Sequence, residues 1–170
     1  MCTAAELSRK RCNGLALNNT SERATMKKQF ISICLMASVA PAYTAEITVK
    51  MLNTGKDGPM VFEPSFVKVA VGDTVVFTPT EKGAHYSVSL LQPAGAKPWR
   101  AAPDQEFKVK IDKEGLYLYA CEPHKTLGMV GVIQAGKAVN LAEAKALAAK
   151  EQATFALGKT RFDMALAQVK

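Results

Sequence analysis

The sequence predicts a mainly β domain, an antiparallel sandwich or barrel of short strands closed by two short helices. Three observations predict it. Runs rich in β-branched and aromatic residues recur between turn residues from position 46 to about 134. After Gly136 the composition shifts to Ala, Leu, Lys and Glu, which favour helix. The stretch from residue 46 onward, about 125 residues, is the size of one domain with one core.

The elements follow in order. Glu46–Leu52 alternates in the manner of a strand. Phe66–Val71 and Thr74–Thr78 flank Gly72-Asp73, a hairpin-like turn. His85–Leu91, Phe107–Ile111, Leu116–Cys121 and Val130–Gln134 complete the strands. Between them lie Gly55, Gly58-Pro59, Pro64, Lys82-Gly83, Pro93, Gly95, Pro98, Pro103-Asp104 and Glu114-Gly115, all turn formers. Asn140 is placed to cap a helix over Leu141–Lys150, with Glu143 at the capping-box position. Gly158 interrupts it, and Phe162, Leu166 and Val169 then recur at helical spacing. The domain is expected over residues 46–170, strands to 136 and helices from 137.

The first 45 residues read differently. Met26-Lys27-Lys28 is a basic start, Phe30–Val39 an apolar run too short to span a bilayer, and Ala40-Pro41-Ala42 a small-x-small cleavage site. Residues 26–45 are therefore expected to be a secretory signal peptide, with Ala45 a second cleavage option, and residues 1–25 an unstructured upstream extension, with a genuine long presequence as the plain alternative. Export changes the cysteine arithmetic. Cys2, Cys12 and Cys34 precede the cleavage site, so Cys121 remains alone and no internal disulfide can form. It changes the charge as well. Residues 46–170 hold 16 Lys and Arg against 13 Asp and Glu, so the whole-chain +7 falls to 16 − 13 = +3. With no dense basic run interleaved with aromatics, nucleic acid is not an expected partner. Neither is a membrane once the signal is removed.

The chemistry concentrates in Cys121-Glu122-Pro123-His124-Lys125-Thr126-Leu127-Gly128-Met129, a Cys-x2-His-x4-Met loop. The only other histidine, His85, lies 36 residues before Cys121. A thiolate, two imidazoles and a thioether are the donor set of a blue-copper electron-transfer site. His85, Cys121 and His124 would form a trigonal plane and Met129 the long axial contact. Each residue alone has a plainer role: a buried thiol, a surface histidine, a core methionine. Together they account for every Cys and His after the signal. Zinc competes for Cys-His-His, but a thioether suits it poorly. One mononuclear site consumes both histidines, which points to a carrier rather than an oxidase or reductase with further copper centres. The alternative is a copper-binding delivery protein without an electron-shuttle role, and a further one is an interaction domain with a degenerate site. Pro123, Leu127 and Gly128 would surround an outward-facing His124. Lys125 and Lys82, with Lys56 and Lys137, would rim that docking patch, each with ordinary solvated lysine as its plain alternative.

The chain resembles the cupredoxins, and among them the pseudoazurins. The resemblance rests on three stretches. They are the copper loop from Cys121 to Ile133, Met51-Leu52-Asn53 through Pro64, and Val71 to Thr80. It implies a Greek-key β-sandwich of about eight strands, one type 1 copper per chain held by His85, Cys121, His124 and Met129, and a location in the periplasm. It also implies electron transfer to copper nitrite reductase or a similar redox enzyme, with Met60 close to the metal. A small soluble carrier of this kind is expected to be a monomer. Two positions depart from the pattern. Tyr86 stands where the family usually has Asn after the first histidine, and Leu91–Arg100 is Pro-rich and contains Trp99. Tyr86, Met60 and Pro123 are the expected supporting groups around the ligands.

Overall fold

A computed structural model describes residues 44–170, so the expected extension and nearly all of the expected signal peptide lie outside the described residues. Eight strands form two four-stranded sheets. They are β1 (Glu46–Gly55), β2 (Gly58–Glu63), β3 (Phe66–Val69), β4 (Thr74–Pro79), β5 (Ser87–Leu91), β6 (Phe107–Lys110), β7 (Gly115–Cys121) and β8 (Val130–Ala135). One sheet runs β2-β1-β4-β6 and the other β3-β8-β7-β5. A 3-10 helix, Glu122–Leu127, joins β7 to β8, and helices α1 (Leu141–Gln152) and α2 (Arg161–Leu166) follow. No helix among these residues is long and apolar enough to cross a membrane.

Four expectations need correction. The sandwich is mixed rather than antiparallel, because β1 pairs parallel with β4, and β3 parallel with β8. Gly72-Asp73 is not a hairpin turn. It carries the chain from β3 in one sheet to β4 in the other, with the buried Asp73 carboxylate accepting the Ala45 and Ala70 N–H groups. The strand β2 sits where Gly58-Pro59 suggested only a turn. Pro59 is tolerated because β2 is an edge strand, where a missing N–H costs no interior ladder bond. Asn140 holds the N-cap position of α1, its carbonyl accepting the Ala144 N–H at 3.0 Å, but its side chain makes no capping bond. Its amide instead binds the backbone N–H and C=O of Leu116, which ties the start of α1 to β7.

Two cores explain the burial pattern. Val49, Met51, Phe62, Phe77, Tyr117, Tyr119 and Ile133 fill the space between the sheets. Phe62, Phe77 and Tyr119 meet edge-to-face, with centroids 4.9 to 6.0 Å apart, the arrangement aromatic quadrupoles prefer. On the outer face of the second sheet, Leu116, Leu118 and Val132 pack against Ala144, Ala148, Phe155 and Phe162 of the helical segment. Strands β7 and β8 are therefore buried on both faces and lack apolar–polar alternation, with Gln134 the one buried amide in β8. The rigid C-terminal end of β7 is what presents Cys121 to the site.

Candidate metal centre

The site lies where β7 ends, β8 begins and the loop before β5 passes. His85 is not within a strand as expected. It precedes β5 by two residues, in a loop shaped by Asp104. The Asp104 carboxylate accepts the N–H groups of Gly83, Ala84 and His85 at 3.2, 3.1 and 2.9 Å, and the Asp104 N–H donates to the His85 carbonyl at 2.8 Å. Ala84 and Asp104 both adopt left-handed φ, near 57° and 53°, a strain that these four bonds offset. The same backbone donors, His85 first, hold the Asp104 carboxyl below its usual range. Gly83 has to be glycine, since a Cβ there would meet His85 Nε2 and Asn53 Oδ1 at 2.8 Å.

The imidazole of His85 is fully buried. Its Nε2 donates to Asn53 Oδ1 at 2.8 Å, which fixes the tautomer and leaves the Nδ1 lone pair free. That Nδ1 lies 4.0 Å from Cys121 Sγ, and His124 Nδ1 lies 3.4 Å from the same sulfur. The three donor atoms fall within 4.8 Å of one another. Burial, then the neighbouring His124, lowers the His85 pKa, so the ring is held neutral and able to donate its lone pair. Burial also raises the Cys121 thiol pKa, partly opposed by the Tyr86 and His124 backbone groups. A fully buried thiol with no disulfide, flanked by two imidazoles, is poorly served by its protein surroundings alone and well served by a bound cation. The donor set thus fits a soft metal.

The loop between Cys121 and Met129 closes on itself. The Cys121 N–H donates to the Met129 carbonyl at 2.9 Å, and the Met129 N–H donates to the His124 carbonyl at 3.3 Å. Pro123 lies in the first turn of the 3-10 helix, where its missing N–H is not needed, and Gly128 ends it with φ 74°. The Met129 side chain is fully buried in the core between the sheets. Met60 is half-buried against that core and has a positive φ, near 51°. Tyr86 turns outward, its hydroxyl donating to Glu122 Oε2 at 2.6 Å.

The expected docking residues divide. Pro123 is exposed, His124 and Leu127 are half-buried, and Lys82 and Lys56 are exposed at this end of the molecule. Lys125 is engaged, its Nζ 2.8 Å from Glu151 of α1. Lys137 follows the far end of β8. A six-residue strand at about 3.3 Å per residue puts it some 20 Å from the site, at the opposite pole.

Sequence reasoning missed three supports, of which Asn53, the partner of the His85 ring, stood only within a family-like stretch. Asp104 read only as turn punctuation, although Asp is the side chain best able to accept several turn N–H groups. Arg161 gave no signal beyond a charge in a helical pattern. Its buried guanidinium donates to the carbonyls of Asp57, Pro59, Met60, Leu127 and Gly128 at 2.8 to 3.1 Å. It thereby clamps the Cys121–Met129 loop to the β1–β2 turn.

Residues 49–136 match the model of the copper binding proteins of the plastocyanin/azurin type, and the chain belongs to that family. Within it the similarity is to pseudoazurins. The pseudoazurin of Methylorubrum extorquens is 38% identical over 137 residues, covering 79% of this chain and 89% of that protein. The pseudoazurin of Paracoccus pantotrophus is 36% identical over 137 residues, covering 79% and 91%. The crystal structure of native pseudoazurin from Hyphomicrobium denitrificans superposes with TM-score 0.66 at 41% identity, over 74% of this chain and 98% of that one. The cofactor of the family is copper.

Proposed function

We propose that this protein is a periplasmic one-electron carrier in which His85, Cys121, His124 and Met129 hold a single type 1 copper ion. The observation that carries the reading is the convergence of His85 Nδ1, His124 Nδ1 and Cys121 Sγ at the buried end of β7. Copper bound there supplies one electron by passing between its two common oxidation states. The chain's own residues supply the rest. Asn53 and Asp104 fix the His85 ring and its backbone, and the closed loop from Cys121 to Met129 fixes the other donors. A site preassembled in this way has little to rearrange when the charge on the metal changes. His124, half-buried among Pro123 and Leu127, is the edge through which an electron leaves.

Export by the signal peptide at residues 26–45 supports the periplasmic location. The similarity to pseudoazurins supports a copper nitrite reductase, or a comparable periplasmic redox enzyme, as the acceptor. Lys82 and Leu127 belong to the docking face around His124, with Lys125 at its margin and the protein acting as a monomer. No substrate chemistry is assigned, since both histidines are committed to one ion.

Cu(II) titration of the protein followed by visible absorbance tests this reading. The expected result is an intense thiolate-to-copper band that ascorbate bleaches and an oxidant restores. A colourless complex, with zinc bound as tightly as copper, would overturn it. A coloured site that surrenders its copper rapidly to a chelator would favour delivery over electron transfer.

A further inference from the structure

The two departures from the family pattern, Tyr86 and the Leu91–Arg100 segment, meet at one place beside the metal centre. Ser87 and Cys121 are paired across β5 and β7, so Tyr86 and Glu122 are the next facing pair beyond the end of that ladder. Each directly follows a ligand: Tyr86 follows His85, and Glu122 follows Cys121. The Tyr86 hydroxyl donates to Glu122 Oε2 at 2.6 Å. The Arg100 guanidinium pairs with the same carboxylate and lies 5.5 Å from the centroid of the Tyr86 ring.

Arg100 is delivered there by its neighbours. Trp99 is buried, donates from Nε1 to Ser87 Oγ at 3.0 Å and from its backbone to Ser89 Oγ at 2.9 Å. The Ser89 N–H donates to the Trp99 carbonyl at 3.0 Å, the Ala101 N–H donates to the Ser87 carbonyl at 2.9 Å, and Arg100 bridges Val88. The end of this segment thus runs antiparallel beside β5 through a single bridge and its flanking bonds, with Trp99 as its anchor and Arg100 at its reaching end.

We propose that Tyr86, Glu122 and Arg100 form a surface clasp that positions the two ligand loops relative to each other and sets the charge felt by the copper. The inference rests on the ligand assignment above. An exposed ion pair alone contributes little to stability. Three features make this one different: a shared carboxylate, a ring stacked under the guanidinium, and a backbone already fixed on both sides. All three are positioning residues: Tyr86 and Glu122 act on His85 and Cys121 through the peptide bonds that join them, and Arg100 acts through the Glu122 carboxylate.

Two variants separate the parts of the proposal. Tyr86→Phe keeps the ring and removes the hydroxyl, and Glu122→Gln keeps the shape and removes the charge. Amide hydrogen exchange on the metal-free protein reads the loops without depending on copper. Both variants are expected to raise exchange at His85, Cys121 and Met129 at least threefold, while Tyr117 and Ile133 in the strands stay within experimental error. On the copper-loaded protein, Glu122→Gln is expected to favour the reduced ion at least threefold, since a nearby anion favours the more highly charged state. That corresponds to a rise of about 28 mV for one electron. Unchanged loop exchange in both variants overturns the proposal. So does an equal rise at Tyr117 and Ile133, which would make the cluster a global support. An unshifted potential in Glu122→Gln overturns the electrostatic part. A wild-type protein that never colours would instead overturn the ligand assignment and leave the exchange result standing.

Discussion

Replacing Arg161 with Met should loosen the metal loop from the rest of the domain. Arg161 is about nine-tenths buried, and its guanidinium has no carboxylate partner among the described residues. Burial accordingly lowers its pKa, opposed by Asp57. It is stabilised instead by five backbone carbonyls, three through Nη1 and two through Nη2. Met fills much of the same volume without the donors. The Gly128 carbonyl lies in the buried part of the contact and would bear the full desolvation penalty, about 1–3 kcal/mol. The other four carbonyls are partly accessible, so water replaces much of what they lose. A few tenths of a kcal/mol from each brings the total loss to about 3 kcal/mol. For a domain of this size that is a fall of roughly 10 °C in Tm. The assay is thermal unfolding of the metal-free variant followed by circular dichroism, repeated with copper bound. Copper should recover part of the loss, because Leu127 and Gly128 lead directly into Met129. A loss below about 1 kcal/mol would refute the reasoning, since it would mean the five bonds are no better than those the carbonyls make with water.

Three further predictions follow from the same geometry. Asn53→Ala frees Nε2 of His85 and lets the ring turn, so copper affinity should fall about 10–100-fold in a competition titration, with folding retained. Phe162→Ala removes a fully buried ring from between the helices and β7–β8, and should cost about 3–5 kcal/mol in denaturant unfolding with m unchanged. Lys125→Glu should slow electron transfer to an acidic partner, more at low than at high ionic strength. Its stability loss should stay within about 1 kcal/mol, because the Lys125–Glu151 pair is partly solvated. Stopped-flow rates across a salt series check the first effect and urea unfolding the second.

Legibility in the sequence followed locality. The Cys121–Met129 loop was readable because its residue types are scarce and its spacing short. The first helix was readable because Ala, Leu and Lys in that density favour helix, and the second because Phe162, Leu166 and Val169 recur at helical spacing. The first sheet's order was not. Parallel pairing of β1 with β4 depends on which sheet each strand joins, and neither strand's alternation carries that information. The strand β2 was hidden by Gly58 and Pro59, which are turn formers except at an edge. Strands β7 and β8 show no alternation because helices cover their outer face, so their two-sided burial became visible only with the helices in place. The supports of the site were the least legible part. Asp104 lies 19 residues from His85, and Arg161 lies 101 residues from Met60. Tyr86 and Arg100 looked like separate departures until the register of β5 and β7 placed them on one carboxylate.

Crystals grown with copper and measured on both sides of its absorption edge test the central claim most directly. The account predicts one anomalous peak per chain, within bonding distance of Nδ1 of His85, Sγ of Cys121 and Nδ1 of His124, with Met129 Sδ as a longer fourth contact. A peak that omits Cys121, or that sits elsewhere on the surface, would contradict it.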